Sequence, residues 1–270
     1  MIRLIAGSGP GFGTGHVERM KLLAEFLARR GHLSELVHLS SPGYETNSHA
    51  LSLESRLTVL DARDVDPEMF SGRVIALDNQ SPSRKIWTGS PMDPSRIIFH
   101  DTIPHPDIPI DVTMQNCLVD PEKCQIIQDV PEVKRALIYA GSWTGEIPGI
   151  GILHSLGYSL TQIGGRAGDS HVTLHERLPT AAFRREMCRS SLVLTYFGMT
   201  AFQAMYLNKR VILFSIGGVH DDLSEYLAST GIRFLKNQPT ASDFVDLEMP
   251  KIVPGGRGFD ILVDLIEEHK

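Results

Sequence analysis

Short apolar runs alternate with helical segments in the first half of the chain. The segment from Gly15 to Arg30 carries apolar residues at the spacing of one α-helical face, namely Val17, Met20, Leu23, Ala24 and Leu27. Strands are predicted for the runs IRLIAG, LSELVHL, RLTVLDA, RVIALDN and RIIFHDT, with a weaker sixth strand at DVTMQN. Because these runs are largely apolar, they are typical of parallel strands that are covered on both faces.

The same alternation begins again at the run RALIYAGS, near residue 135. Further strands are predicted for YSLTQIG, HVTLHE, SLVLTYFG and RVILFSIG, with helices near 181–189, 200–207, 221–230 and 257–269. Strands that alternate with helices indicate a doubly wound α/β sheet. The pattern therefore predicts an α/β protein of two Rossmann-like domains, residues 1–133 and 134–270, with the last helix packed back on the first domain. Since ligands bind beyond the carboxyl ends of such strands, we expect the site in the cleft between the domains.

Composition and charge narrow the class of protein. The chain has 270 residues, 42% hydrophobic and 21% charged, and its net charge of −6 gives no basic footprint for nucleic acid. No apolar run is long enough to span a bilayer, and the N-terminus lacks the pattern of a signal peptide. The three cysteines, Cys117, Cys124 and Cys188, form no CxxC pair, which favours a reducing compartment over a disulfide framework or a zinc site. We therefore expect a cytoplasmic protein without membrane insertion or a nucleic-acid partner; the sequence predicts no oligomeric state.

A glycine-rich loop, GPGFGTGH, joins the first predicted strand to the first predicted helix. Its spacing matches neither the GxGxxG dinucleotide loop nor a phosphate loop that continues into lysine. Glycines let a ligand approach the backbone, and the free amides at a helix start favour an anion. A neutral imidazole at His16 could take a proton from water as a general base. The same residues also fit a tight strand-to-helix turn in which His16 only caps or packs.

A second candidate lies where a predicted strand runs into Gly198, Met199 and Thr200 at the start of a helix. The loop amides and the Thr200 hydroxyl could hold a phosphate, and Gln203, one turn later, could bind a sugar hydroxyl. The alternative is that Thr200 belongs to an N-cap and that Gln203 is an ordinary exposed helix residue.

Two acidic residues, Asp78 and Asp101, end predicted strands, so either could line a ligand site. The loop FHDTIPHPD brings imidazoles and carboxylates together in the sequence, at His100, Asp101, His105 and Asp107. These are common metal ligands, but the prolines between them favour a rigid surface or cleft loop over a metal site.

These stretches carry a resemblance that covers most of the chain in order. GTGHVERMKLLAEFLARRGH resembles the opening of the nucleotide-sugar hydrolases of pseudaminic acid biosynthesis, which remove UDP from UDP-2,4-diacetamido-2,4,6-trideoxy-β-L-altropyranose, and of related spore-coat polysaccharide proteins. Later segments of the same family resemble VIALDN, IIFHDTIPHPDIPIDVTMQN, LIYAGSW and MCRSSLVLTYFGMTAFQAMYLNKRVILFSI. The resemblance implies the glycosyltransferase-B fold and a hydrolase that releases UDP from a UDP-linked amino or deoxy sugar.

By this resemblance, His16 is the essential histidine, which activates or positions water for attack on the anomeric carbon. The helix start after Met199, together with Ser142, would hold the diphosphate and stabilise the leaving charge. Substrate or nucleotide contacts are expected at Gly13, Thr14, Gly15, Asp78, Ser142, Gly198, Met199, Thr200 and Gln203. This mechanism needs no metal and no cofactor, and its partner is a small-molecule nucleotide sugar.

The chain departs from the family pattern at several positions. Gln203 stands where the family has an acidic residue for the ribose, Ala140 and Trp143 alter the GGSD loop, and VHDD at 219–222 replaces an Asn-Gln pair. These departures leave two alternatives open. One is a glycosyltransferase of the same fold, with an acceptor hydroxyl in place of water, and the other is a nucleotide-sugar-binding protein without catalysis.

Overall fold

The computed structural model describes residues 1–8, 15–40, 56–62, 65–78, 95–105, 108–122, 133–166 and 170–270. The chain divides into two compact units. The first unit is Met1–Asp120 together with Gly256–Lys270, and the second unit is Pro121–Gly255.

The first unit is built on a parallel sheet. Its described strands are β1 (Ile2–Ser8), β2 (Ser34–Ser40), β3 (Leu57–Asp61), β4 (Arg73–Leu77) and β5 (Ile97–His100). Its described α-helices are α1 (Gly15–Arg29), α2 (Ile110–Asn116) and the C-terminal α7 (Gly258–His269), and a short 3₁₀ helix covers Pro67–Met69. The strands lie in the order β2-β1-β3-β4-β5, and every pair is parallel. The order reverses at β1, so the topological switch point, where such sheets bind ligands, lies between β1 and β3.

Helix α1 buries one face against this sheet and against α7. Its inward residues recur at helical spacing, and Met20, Leu23 and Leu27 are fully buried. Phe26 stacks on Phe259 of α7, with ring centroids 4.8 Å apart. The first turn of α7 approaches the backbone after α2 so closely that a Cβ on Gly258 would lie 2.2 Å from the Cys117 carbonyl oxygen. The C-terminal helix therefore belongs to the core of the first unit.

The sixth strand predicted in the first half, DVTMQN, is wrong, because these residues form helix α2. Ile110, Thr113 and Met114 lie at i, i+3 and i+4, and the last two are buried, which is a helical and not an alternating pattern. The Thr113 hydroxyl donates to the Ile110 carbonyl oxygen at 3.1 Å. Pro109 precedes the helix, where its missing N–H costs nothing.

The second unit is built on another parallel sheet. Its described strands are β6 (Val133–Gly141), β7 (Ser159–Gly164), β8 (Val172–His175), β9 (Ser190–Thr195), β10 (Arg210–Phe214) and β11 (Arg233–Leu235). Its described α-helices are α3 (Ile150–Ser155), α4 (Thr180–Arg189), α5 (Met199–Tyr206) and α6 (Val219–Ala228), with a 3₁₀ turn at Ala241–Phe244. The strand order is β11-β10-β9-β6-β7-β8, the doubly wound order of a Rossmann sheet, all pairs being parallel. Its switch point lies between β6 and β9.

The central strands of the second unit are buried on both faces, as their continuous apolar runs predict. Leu192, Val193 and Leu194 of β9 are fully buried, and helix α5 covers them with Phe202 and Met205, which are also fully buried. Burying each side chain of this size stabilises a fold by roughly 1.5–3 kcal/mol relative to leaving it exposed. Strand β11 and helix α3 are too short to give a clear periodic signal, and the pattern analysis did not predict them.

Of the helices in the described part of the chain, none combines the length and the apolar character that crossing a membrane requires.

Candidate functional site

A histidine and a buried aspartate meet at the switch point of the first unit. His16 lies in the first turn of α1, and Asp61 is the last residue of β3. The Nδ1 atom of His16 lies 2.7 Å from Oδ1 of Asp61. The carboxylate is fully buried, whereas 22% of the imidazole side chain remains exposed. Because an ionised carboxylate can only accept, Nδ1 carries the proton of this hydrogen bond and the imidazole lone pair is on Nε2.

Arg19 connects this pair to a second carboxylate. It lies one turn after His16 on α1, and only 5% of the residue is exposed. Its Nε and Nη2 donate to the two carboxylate oxygens of Asp61, at 3.0 and 2.5 Å, in the bidentate geometry that suits a guanidinium. Its Nη1 donates to Asp78 at 2.6 Å and to the Thr102 hydroxyl at 3.0 Å.

Asp78 follows β4 and is held by donors from the segment after β5. Its Oδ1 accepts the backbone N–H groups of Thr102 at 2.6 Å and Ile103 at 3.0 Å, and its Oδ2 accepts the Thr102 hydroxyl at 2.7 Å. The backbone of Asp78 has φ 53°, in the left-handed region that non-glycine residues adopt at some energetic cost. The surrounding hydrogen bonds offset that cost and fix the carboxylate beneath Arg19. We call His16, Arg19, Asp61, Asp78 and Thr102 the charge network.

The electrostatics of the charge network keep its salt bridges ionised. Burial raises the pKa of Asp61, but Arg19 and His16 outweigh burial and hold this pKa below its ordinary value. For Arg19 the signs are opposite: burial lowers its pKa, but Asp61 and Asp78 together raise the pKa above its ordinary value. Asp61 is therefore a carboxylate at neutral pH, and Arg19 is a cation.

Two of the residues that the sequence singled out, His16 and Asp78, are thus brought together in the first unit, through Arg19. Gly15 begins α1, and a Cβ there would meet nothing within 4 Å, so packing within the protein does not require a glycine. Gly13 and Thr14 lie outside the described residues.

The second group of predicted residues lies at the switch point of the second unit. Ser142 is exposed and directly follows β6. Gly198 precedes α5 with an extended backbone and open space at its Cβ position, and Met199 is the first residue of the helix. Because β6 and β9 are neighbours, both segments leave the same edge of the sheet.

The side chains of this second group face different surroundings. Thr200 is buried, with 7% of its surface exposed, and Gln203 is half-buried one turn further along α5. Tyr196 follows β9 and approaches the end of β6: its hydroxyl would be 2.6 Å from a Cβ on Gly141, the residue before Ser142. Burial, with a contribution from the neighbouring Tyr139, raises the pKa of Tyr196 to about 12, so its phenol is neutral.

Asp221 has a capping role in the second unit. Its carboxylate accepts the Ser215 hydroxyl at 2.5 Å and the backbone N–H groups of Ile216 and Gly217 at 3.1 and 3.0 Å. It lies in the first turn of α6, where a negative charge also interacts favourably with the helix dipole. The segment VHDD at 219–222 is therefore the start of α6. The Asp221 carboxylate in this segment accepts hydrogen bonds from the turn that precedes the helix.

Sequence reasoning missed Arg19, Asp61 and Thr102. Asp61 is the penultimate residue of the predicted strand RLTVLDA, Asp78 is the penultimate residue of RVIALDN, and the two strands are neighbours in the sheet. Arg19 lies three residues after His16, so both occupy one face of α1. The signal that could have identified this buried ion pair is a charged residue on the inner face of a predicted helix, together with aspartates at the ends of two predicted strands.

In the described part of the chain, no group of three or more histidine, cysteine, aspartate or glutamate side chains is placed to hold a metal ion. His100 is the last residue of β5, and its carbonyl oxygen accepts the backbone N–H of Asp78 at 3.2 Å. Asp107, the fourth residue of that proposed set, lies outside the described residues.

The chain matches no protein-family model and no curated protein sequence. Its structure is similar to MurG of Acinetobacter baumannii, with a TM-score of 0.61 at 11% identity over 99% of both chains. It is also similar to the glycotransferase of kitacinnamycin (TM-score 0.57, 12% identity, 99% of this chain and 95% of the other). A putative UDP-N-acetylglucosamine 2-epimerase from Listeria monocytogenes gives 0.51 at 11% identity, over 99% and 96% of the two chains. These similarities confirm the predicted α/β fold of two Rossmann-like domains, as found in proteins of the glycosyltransferase-B fold.

Proposed function

We propose that the protein is a hydrolase that releases UDP from a UDP-linked amino or deoxy sugar, in nonulosonic acid or surface polysaccharide biosynthesis. The observation that carries this proposal is the His16–Asp61 pair, a partly exposed imidazole whose Nδ1 is held by a buried carboxylate at the switch point of a Rossmann-like sheet. The GTGHVER stretch that supplies His16 also carries the resemblance to nucleotide-sugar hydrolases. The fold shared with a glycotransferase and with a putative UDP-N-acetylglucosamine 2-epimerase is consistent with a nucleotide-sugar substrate.

In the proposed reaction, His16 is the general base. Its Nε2 takes a proton from water as the water oxygen bonds to the anomeric carbon. The bond between that carbon and the diphosphate oxygen breaks, and UDP leaves with the bonding electrons. Asp61 orients the ring, keeps its proton on Nδ1 and stabilises the imidazolium that forms, which is the role that a buried carboxylate has in other histidine-dependent hydrolases. A positioned base of this kind contributes roughly 10²–10⁴-fold to a rate.

The leaving diphosphate requires donors. We propose the backbone around Gly198 and Met199, the Thr200 hydroxyl and Ser142 for this role, and Gln203 for the ribose. The open space at the Gly198 Cβ position supports the proposal, because no protein group there would prevent a ligand from approaching the backbone. A neutral Gln203 can bond to a ribose diol, although without the charge that the resembling family provides. Gly13, Thr14, Gly15 and Asp78 are proposed to shape the substrate end around His16.

The second candidate function is a glycosyltransferase, in which His16 would take the proton of an acceptor hydroxyl instead of water. The similarity to the glycotransferase of kitacinnamycin favours this alternative as far as fold is concerned. The chemistry required of His16 and Asp61 is the same in both reactions, so the nature of the nucleophile has to be tested directly.

The experiment incubates the protein with UDP-, CMP- and GDP-sugars and follows the release of nucleotide with and without added acceptor sugars. We expect release from a UDP-sugar without an acceptor. Release only in the presence of an acceptor would establish the transferase, and tight binding without turnover would establish a binding protein.

The variant His16→Ala tests whether His16 is the general base. We expect turnover to fall at least tenfold, with nucleotide binding nearly unchanged, because the imidazole acts on the nucleophile. His154→Ala, at an exposed histidine on α3, is the matched control and should keep wild-type turnover. A fully active His16→Ala protein would remove His16 from the reaction.

A further inference from the structure

The guanidinium of Arg19 bonds to both carboxylates of the charge network at once. It gives two hydrogen bonds to Asp61 and one to Asp78, and Nη2 also lies 3.3 Å from Nδ1 of His16. Asp61 and Asp78 belong to neighbouring strands, and the single cation between them is shared. The proposed base therefore contacts one end of a network that extends inward beyond its own partner.

The charges of the network do not cancel when His16 is neutral. One buried cation then faces two buried carboxylates, which leaves one negative charge in excess. When His16 takes up a proton, the excess disappears. Because an uncompensated buried charge is costly, the remaining negative charge needs hydrogen-bond donors, and three of them surround Asp78. These donors are the backbone N–H groups of Thr102 and Ile103 and the Thr102 hydroxyl.

Among the described residues, His100 and Cys117 are two other buried titratable groups near the network. Burial lowers the pKa of His100, on β5, more than the nearby Asp78 raises it. Burial also raises the pKa of Cys117, after α2, with Asp78 raising it further and Arg19 lowering it, so Cys117 stays a thiol. On α1, Glu18 is exposed and pairs with Lys21 at the surface. Among the described residues, the buried charges that the hydrogen bonds link to His16 are Arg19 on α1, Asp61 at the end of β3 and Asp78 after β4.

We propose that Arg19 and Asp78 are positioning residues for His16: together with Asp61 they form one buried charge network that sets the pH range in which the imidazole accepts a proton. Asp78 raises the tendency of His16 to hold a proton, Arg19 lowers it, and Thr102 moderates the effect of Asp78. This inference deepens the proposed function and rests on it only where catalysis is the readout. The titration of His16 itself tests the network whether or not the protein hydrolyses any nucleotide sugar.

The test is an NMR titration of histidine-labelled protein, with the His16 signals assigned by their loss in His16→Asn. Arg19→Gln removes the cation, so we expect the midpoint of the His16 titration to move to higher pH by about one unit or more, since a charge within about 4–6 Å has effects of this size. Arg19→Lys keeps the charge and should leave the midpoint near that of the wild type. Asp78→Asn removes a carboxylate and should move the midpoint down by a similar amount.

Opposite shifts in Arg19→Gln and Asp78→Asn support the proposal. Unchanged midpoints, or shifts in the same direction, overturn it, as does an Arg19→Lys midpoint equal to that of Arg19→Gln, because a purely structural arginine would not distinguish the two.

A milder pair of variants keeps the proposal testable if the charge variants do not fold. Thr102→Val is isosteric and keeps every charge but removes one donor to Asp78, so the His16 midpoint should rise by a few tenths of a unit. Thr113→Val is the matched control: this threonine is equally buried, and its hydroxyl bonds to a helix carbonyl instead. Equal midpoints in the two valine variants overturn the proposal.

Catalysis provides the second readout. If a UDP-sugar is hydrolysed, the acid limb of the kcat/KM profile should move in the same direction as the His16 titration in each variant, since this limb reports the free enzyme's base. Shifts in NMR without any turnover would contradict the proposed function and leave the charge network established. Turnover whose pH profile ignores the NMR shifts would contradict the positioning role.

Discussion

At the carboxyl edge of the first sheet, ionised side chains are buried together; at the corresponding edge of the second sheet, glycines, tyrosine rings and backbone amides are found. Among the described residues, the two units differ in which ionisable side chains are buried. All of the buried arginines and aspartates belong to the first unit: Arg3, Arg19, Asp61, Asp78 and Asp120. The buried polar residues described in the second unit are threonines, serines and one glutamine.

The difference separates two ways in which a Rossmann-like edge can be used. Buried charges are costly unless they are paired and fixed, and they are well suited to hold one imidazole in one tautomer. Neutral hydrogen-bond donors and exposed backbone amides cost little free energy when they face solvent. They are suited to binding a negatively charged ligand. We therefore assign the proposed proton transfer to the first unit and the proposed nucleotide contacts to the second.

The largest effect is expected from Asp61→Ala. It would leave the buried Arg19 with one carboxylate and His16 without its partner, and breaking a buried ion pair in this way costs about 3–5 kcal/mol. Urea unfolding followed by circular dichroism measures the loss. Asp222→Ala, at an exposed carboxylate on α6, is the control and should change the free energy of unfolding by less than about 0.5 kcal/mol. Equal effects would show that the two units do not differ in buried charge.

The dependence of stability on acidic pH tests the same comparison. The pKa of Asp61 is lower in the folded protein than in the unfolded chain, where it is about 3.9. Its contribution to stability is therefore fully present above about pH 4 and is lost as the pH falls through the folded pKa. The gap in unfolding free energy between the wild type and Asp61→Ala should close in this window, and a gap that persists unchanged would contradict an ionised Asp61.

In the second unit, the comparable effect should come from a glycine. Gly164 ends β7 with φ +74°, and a Cβ there would lie 2.2 Å from the Gly141 carbonyl oxygen. We expect Gly164→Ala to lower the unfolding free energy by about 2–4 kcal/mol, from backbone strain and overpacking combined. Gly31→Ala, at φ +78° with nothing within 4 Å, carries the strain alone and should cost about 1–2 kcal/mol. Equal losses of unfolding free energy in the two variants would mean that β6 and β7 can move apart to accommodate a Cβ at Gly164.

The sequence predicted the strands of both sheets except the short β11, because each of the others is a short apolar run bounded by turn residues. It did not predict α2, where the run DVTMQN is too short for its period to be clear, and the i, i+3, i+4 burial emerges only with the fold. His16 was found because it follows an unusual loop. Arg19 and Asp61 were missed because ion pairing across 42 residues depends on strand order, which a single sequence does not give. The roles of Gly13 and Thr14 stay predictions.

A smaller effect is expected on binding in the second unit. Gln203→Ala removes one neutral hydrogen-bonding group from the proposed ribose contact, which is worth about 0.5–1.5 kcal/mol, or up to about tenfold in affinity. Calorimetric titration with UDP measures it. Gln115→Ala, at an exposed glutamine on α2, should leave the affinity unchanged. An unaltered affinity in Gln203→Ala would remove Gln203 from the site.

A similarly small effect tests a carboxylate that caps a turn at the edge of the second sheet. Asp221→Ala removes the acceptor of Ser215, Ile216 and Gly217, and the loss of such a cap costs about 1 kcal/mol, well below the cost at Asp61 because Asp221 is only partly buried. Burial raises the pKa of Asp221, but the hydrogen bonds from Ser215, Gly217 and Ile216 together outweigh burial and hold this pKa below its ordinary value. This contribution too is therefore present above about pH 4 and is lost as the pH falls through the folded pKa. Asp221→Asn keeps one acceptor oxygen and should lose less than Asp221→Ala in thermal unfolding. A cost at Asp221 as large as that at Asp61 would mean that the second edge depends on fixed charge as the first does, and the division between proton transfer and ligand binding would fail.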